Sequence, residues 1–296
     1  MTTPLREAIE RQLGDPALRH AVLIDPALGD PFAEPRLAEK LTTHALPLPE
    51  DKVVQDMRPY LLPVKVGDAL LARSIELAAN EADAWHAGTG IARSVCAWVS
   101  YVGDVQPLAQ ALGQKATLML DETQTLLFRY YDPRVMTHLF RWLRPAQFFN
   151  GLPVLKHWAY LNAHRQLDVL SQSDEVESPA PVWFMTHAQR QGVASIEALN
   201  MALRRMNNDS RHIDALLSAL DRASVVHGLT ETSDLTAFAI QAVLCHPKFD
   251  RHPEVSSALA EVARHGDSFA EWLDSQDDAT WQRIASELAR ASHPGA

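Results

Sequence analysis

Two patterns of apolar positions divide the chain. Up to residues 174–181 (DEVESPAP), apolar residues fall mostly in short unbroken blocks between turn-forming residues. Beyond Thr186 they recur at the spacing of amphipathic helices. In the first part, residues 20–25 (HAVLID) and 60–64 (YLLPV) predict two buried strands, the first closed by Asp25 and Pro26. Residues 94–102 (SVCAWVSYV), rich in Val, Trp and Tyr, predict a third, ended by Gly103 and Asp104. Residues 116–120 and 125–131, joined by DETQ, read as a hairpin, and residues 151–163 and 165–170 as two more strands. Helices are expected near the start, with Leu5, Ile9 and Leu13 on one stripe, over 69–79 behind Asp68, and over 106–112. A fourth starts at Asp132 and Pro133 and runs through Val135, Met136, Leu139, Phe140 and Leu143 to Pro145. Residues 25–59, rich in proline and charge, predict loops with one short helix.

In the second part the stripes are Ile196, Leu199 and Leu203; Ile213, Leu216, Leu217 and Leu220; Leu235, Phe238, Ala239 and Ala242; Val255, Leu259 and Val262; Phe269, Trp272 and Leu273; and Trp281, Ile284 and Leu288. They predict five or six helices joined by short loops, with no recurring period. The fold class expected is therefore α+β: a mixed lobe over 1–175 with a largely antiparallel sheet, then an all-helical lobe over 182–296.

Composition narrows the picture. Of 296 residues, 47% are hydrophobic and 22% charged, enough apolar material for two modest cores. No apolar run approaches the roughly 20 residues of a membrane-spanning helix, so no membrane insertion is expected. The opening MTTPLREAIERQLGD lacks the basic and apolar regions of a secretory signal. Cys96 and Cys245 stand far apart in apolar surroundings, which suits a reducing cytoplasm. A formal charge of −10 disfavours nucleic acid, whose binding draws on clustered Lys and Arg.

The motifs of nucleophilic serine, zinc-protease, phosphate-loop and dinucleotide chemistry are absent from the sequence, and no cofactor is expected. The densest group of metal donors is Cys245, His246, Asp250 and His252, in CHPKFDRHPE. As a zinc-dependent hydrolase site it competes with a plain turn between two helices, because each histidine precedes a proline and the spacing of a four-ligand site is missing. Asp121 and Glu122 suit a hairpin tip, and Glu231 and Asp234 a helix start. Trp142, Phe148 and Phe149 beside Arg141 and Arg144 are either core or an aromatic and basic contact surface.

Residues 126–150, LLFRYYDPRVMTHLFRWLRPAQFFN, resemble the signature of type VI secretion effector adaptors, in which a strand of the LLFRFYDPRV kind runs into a helix and a proline-led turn. The matching positions are Leu127, Phe128, Arg129, Tyr130, Tyr131, Asp132, Pro133, Arg134 and Val135, with Pro145 and Phe148 beyond. AVLID, PYLLPV and residues 94–101 look like further strands of that family, and KFDRHPE like a stretch of its helical tails. The passage between Asp25 and Met57 departs from the family pattern, being longer and richer in proline. The resemblance implies a cytoplasmic, non-enzymatic chaperone that binds an effector toxin and helps attach it to a VgrG spike protein. An immunity or scaffold protein would share the lack of catalysis. Phe128, Arg129, Tyr131, Asp132, Arg134, Trp142 and Arg144 are the candidate partner-binding residues; Asp132 also suits a plain capping role, and Arg129 and Arg134 either meet acidic groups on a partner or brace a local carboxylate.

Overall fold

A computed structural model describes residues 2–34, 40–90, 93–119, 125–173 and 183–291. The chain divides into two compact units, Met1–Gln189 and Arg190–Ala296. The expected linker, 174–181, and the hairpin tip with Asp121 and Glu122 lie outside the described residues.

Unit 1 is built on a six-stranded sheet. Its strands are β1 (Arg19–Ile24), β2 (His44–Ala45), β3 (Tyr60–Val64), β4 (Val95–Tyr101), β7 (Leu155–Leu161) and β8 (Leu167–Ser171), while β5 (Thr117–Met119) and β6 (Thr125–Leu127) form a separate hairpin. The order in the sheet is β2-β3-β1-β4-β7-β8, and every neighbouring pair is antiparallel. β1, β3 and β4 read as unbroken apolar blocks because both of their faces are covered. One face carries Val22, Ile24, Leu62 and Trp98, packed with Ile9 and Leu13 of α1 (Thr2–Gln12) and with Leu71, Ile75, Ala78 and Ala82 of α2 (Ala69–His86). The Trp98 indole N–H donates to Ser74 Oγ of α2 at 2.9 Å, so the buried indole keeps a partner.

The opposite face belongs to the signature segment. Val99 pairs with Trp158, and cross-strand neighbours share a face, so Trp158 projects away from Trp98. There it meets Tyr130 at 6.3 Å and Phe148 at 5.2 Å between ring centroids. These rings come from the chain between β6 and β7, which holds α4 (Pro133–Leu139) and α5 (Pro145–Phe149), and behind them stands α3 (Val105–Lys115). The Tyr130 hydroxyl donates to Leu112 O of α3 at 3.1 Å.

The structure alters two expectations in this region and decides a third point left open. The second hairpin strand ends at Leu127, because Phe128 N still donates to Ala116 O but Tyr130 N turns back onto Phe128 O, which drives the tyrosine rings into the core. The helix begun at Pro133 stops at Leu139, the chain turns through residues 140–143, and with Arg144 extended before Pro145 it restarts as α5. Phe148 and Phe149 are core, at 0% and 2% exposure, and offer no contact surface. In the 25–59 stretch the described residues include two 3-10 turns, Pro26–Leu28 and Gln55–Met57, besides β2, and Ala33 and Glu34 are helical.

Unit 2 comprises α7 (Ile196–Arg205), α8 (Ile213–Val225), α9 (Thr232–Leu244), α10 (Pro253–His265), α11 (Phe269–Asp274) and α12 (Asp278–Ala291), after a helix α6 (His187–Ala194) at the unit boundary. Phe238 of α9 centres the core, 4.8 Å from Phe249 and 6.0 Å from Phe269 between ring centroids. Asp234, expected to cap its own helix, is buried and caps another: its Oδ1 accepts from Ser268 Oγ and Ala270 N at the start of α11, both at 2.9 Å. α10 ends on Gly266, whose φ of 74° is the left-handed cap that glycine adopts at no steric cost. Among the described residues no helix is long and apolar enough to cross a membrane.

Gly113 fixes how closely α3 approaches β2. A Cβ there would lie 2.6 Å from Pro47 Cδ and 2.8 Å from Pro47 O. Alanine normally gains about 1 kcal/mol over glycine inside a helix. Here the clash outweighs that gain, and Gly113→Ala is expected to lose about 1–3 kcal/mol, read as a lower denaturant midpoint with an unchanged slope.

Candidate functional site

Two of the four Asp-Pro pairs of unit 1, Asp25-Pro26 and Asp132-Pro133, start helical turns that Arg129 joins. Asp25 Oδ1 accepts from Ala27 N at 3.0 Å, and Asp132 Oδ1 accepts from Arg134 N at 2.9 Å, each capping the turn that its proline begins. Arg129 lies between the two carboxylates. Its Nη2 donates to Asp25 Oδ2 at 2.6 Å and stands 3.9 Å from Asp132 Oδ2. Arg134 grips Asp132 from the other side, with Nε 2.9 Å from Oδ1 and 3.2 Å from Oδ2, and with Nη2 also on Oδ2. Its guanidinium sits 5.0 Å from the centroid of the Trp85 ring.

The lock is buried: the Asp25 and Asp132 side chains are 3% and 5% exposed, Arg134 17% and Arg129 37%. Burial alone raises the pKa of Asp132, but the hydrogen bonds and charge of Arg134, with Arg129 behind, overcome it and hold the carboxyl below its ordinary value. Around it stand Glu81, which accepts from Ser94 Oγ and, at 3.3 Å, from Val95 N, and Arg93, which donates to Leu161 O. Arg93 is 3% exposed, and its Nε and Nη1 make no hydrogen bond. Cys96 is buried in the same place, which pushes its thiol well up and keeps it protonated.

The candidate residues thus separate. Tyr131 and Asp132 face inward, and both arginines brace local carboxylates. Phe128 is half-buried, its ring 5.5 Å from Trp183. Trp142 is half-buried and Arg144 exposed, at the corner between α4 and α5. That corner also holds residues 183–189, which the sequence reading gives to the helical lobe. Gln147 Nε2 donates to Phe184 O at 2.7 Å, and Gln189 Nε2 donates to Trp142 O at 2.8 Å.

The metal candidates of unit 2 point apart. Asp250 Oδ2 is 3.0 Å from Arg222 Nε and 3.0 Å from His227 Nε2, and His252 Nε2 is 2.9 Å from Glu287 Oε2. His246 Nδ1 accepts from Lys248 N at 3.1 Å, and Cys245 Sγ turns toward Trp281 O. Among the described residues no three His, Cys, Asp or Glu side chains gather as a metal shell. KFDRHPE is a structural clasp, with Phe249 in the core and Asp250 and His252 each holding another element.

With this geometry in view, comparison with known proteins gives one match. Residues 22–148 match a family described as a domain of unknown function, DUF4123. The match covers less than half of the chain. It runs from β1 to α5, includes both Asp-Pro corners and Arg129, and omits β7, β8 and all of unit 2. No curated protein and no solved structure matches the chain.

Sequence reasoning singled out Arg129, Asp132 and Arg134 but missed Asp25 as their partner and Lys115, Arg93 and Trp183 as neighbours. The Asp-Pro dipeptide occurs four times in the sequence and so did not by itself mark Asp25. Asp132→Asn separates the two roles of Asp132, since asparagine caps a helix as well as aspartate does. The expected cost is still about 3–5 kcal/mol in thermal or denaturant unfolding, because the arginines lose their buried counter-charge. The pair's stabilisation is present above the ordinary carboxylate range near pH 4 and is lost as pH falls through the lowered pKa of Asp132. In unit 2, Asp250→Ala is expected to lower the melting temperature while His246→Ala leaves it unchanged, with metal analysis of both proteins finding less than stoichiometric zinc.

Proposed function

We propose that the protein is an adaptor of the type VI secretion system, a non-enzymatic bacterial chaperone that binds an effector toxin in the cytoplasm and helps load it onto a VgrG spike protein. The observation that carries this reading is the family match over residues 22–148 and the signature it contains. The matched segment, 22–148, contains the LLFRYYDPRV corner that resembles the adaptor signature, and domains of the matched family are associated with such adaptors. The geometry supports it further, because the charged groups of the corner are spent on one another and build a rigid platform. The rival metal-hydrolase reading draws no support from Cys245, His246 and His252, which face different partners.

Rigidity suits a loading role, since a preorganised surface loses less entropy when it captures a partner. The candidate side chains that reach the surface of unit 1 are Phe128, Arg129, Trp142 and Arg144, a mixture of aromatic rings and guanidinium groups typical of interface anchors.

Co-expression of the full chain with the proteins encoded beside it, in particular any VgrG spike protein and any candidate toxin, followed by affinity purification, tests the proposal. The toxin is expected to co-elute with the adaptor, and Trp142→Ala with Arg144→Glu to reduce capture while leaving the melting temperature unchanged. Absence of any captured neighbour, together with substrate turnover by the pure protein, would overturn it.

A further inference from the structure

Lys115, the last residue of α3, is completely buried, yet among the described residues no carboxylate pairs with it. Its ammonium donates to Gln147 O at 3.1 Å and Asn150 O at 3.2 Å, and lies 3.9 Å from the centroid of the Trp183 ring. Trp183 in turn donates its indole N–H to Lys115 O at 2.8 Å and packs edge-on against Phe128 and Tyr130. Of the three residues around the ammonium, Gln147 and Asn150 are buried, whereas Trp183 is partly exposed. Trp183 belongs to the stretch 183–186, which has no regular secondary structure and carries Phe184 at 59% exposure. Beyond Trp183, this stretch and Gln189 are tied to the α4–α5 corner by the bonds from Gln147 to Phe184 O and from Gln189 to Trp142 O.

We propose that residues 183–189 form a strap whose opening from the aromatic cluster is coupled to proton uptake at Lys115. With the strap closed, the ammonium is cut off from water and has only carbonyl oxygens and a ring face to stabilise it. Burial therefore pushes Lys115 down to about 7, and among the described residues no charged neighbour adds to the effect. The titratable groups on the surrounding elements are Tyr130, kept neutral by burial, and Arg144 and His187, both exposed. Lifting Trp183 admits water, so Lys115 regains a value near its ordinary 10.5.

The open strap then binds a proton more tightly than the closed one. Between pH 10.5 and 7, each unit of acidification favours opening by up to about tenfold, and below 7 the dependence levels off because both states are protonated. The contact between the cation and the Trp183 face favours the closed, charged state and takes back part of this gradient. The coupling is independent of which partner the protein carries, since it needs only the groups of unit 1.

Hydrogen exchange of the Trp183 indole N–H in the full chain reads the opening, with its NMR signal assigned by loss in Trp183→Phe and its rate divided by that of free indole at each pH. Protection is expected to fall by up to about tenfold per unit from pH 9 to pH 7 and then to level off, and to be flat in Lys115→Met. A flat profile in the wild type, or the same slope in Lys115→Met, would overturn the proposal. Where Lys115→Met does not fold, 13Cε titration of the six lysines of the wild-type chain decides: a Lys115 midpoint near 7 supports the coupling, and one near 10.5 removes it.

Discussion

Unit 1 depends on one guanidinium placed between two helix-capping carboxylates. Arg129 reaches Asp25 at the end of the first strand and stands close to Asp132 at the start of α4, joining chain segments more than a hundred residues apart. Either aspartate alone would be a costly buried charge, because removal from water is recovered only by well-placed opposite charge and hydrogen bonds. Each therefore has two tasks: it satisfies the backbone N–H at the head of its own turn, and it holds an arginine. The cap and the ion pair share one carboxylate, so local and long-range structure form together or fail together.

The rest of the corner follows from that placement. With Asp132 drawn in, Tyr130 and Tyr131 turn toward the sheet and the aromatic cluster with Phe148 and Trp158 closes over β4 and β7. The cluster leaves room for Lys115 on one side, and Trp183 completes it. Arg93 lies under the same corner with two N–H groups that find no acceptor, so the interior carries more donor capacity than its carbonyls and carboxylates use.

Much of this was legible in the residue pattern. The unbroken apolar blocks of β1, β3 and β4 announce strands covered on both faces, and the Asp-Pro-Arg order at 132–134 announces a capped helix. The helical periodicity after residue 186 likewise marks unit 2. What stayed hidden depends on side chains that meet only after folding. Nothing near Asp25 in the sequence points to Arg129, and Lys115 looks like an ordinary basic residue at a helix C-terminus, where its charge would suit the helix dipole. The KFDRHPE run shows the opposite case. Its histidine and aspartate look like metal donors, but each is drawn outward from the turn to a different element.

The place where the family match ends has a further consequence. A polypeptide cut to residues 22–148 would keep Tyr130 and Phe148 but lose Trp158, Trp183 and the two strands that extend the sheet past β4. Its β4 would become a raw sheet edge beside an uncovered group of aromatic rings, the surface most prone to pairing with another copy. The compact unit is therefore larger than the stretch that the family matches, and it reaches Gln189, whose side chain still holds the α4–α5 corner.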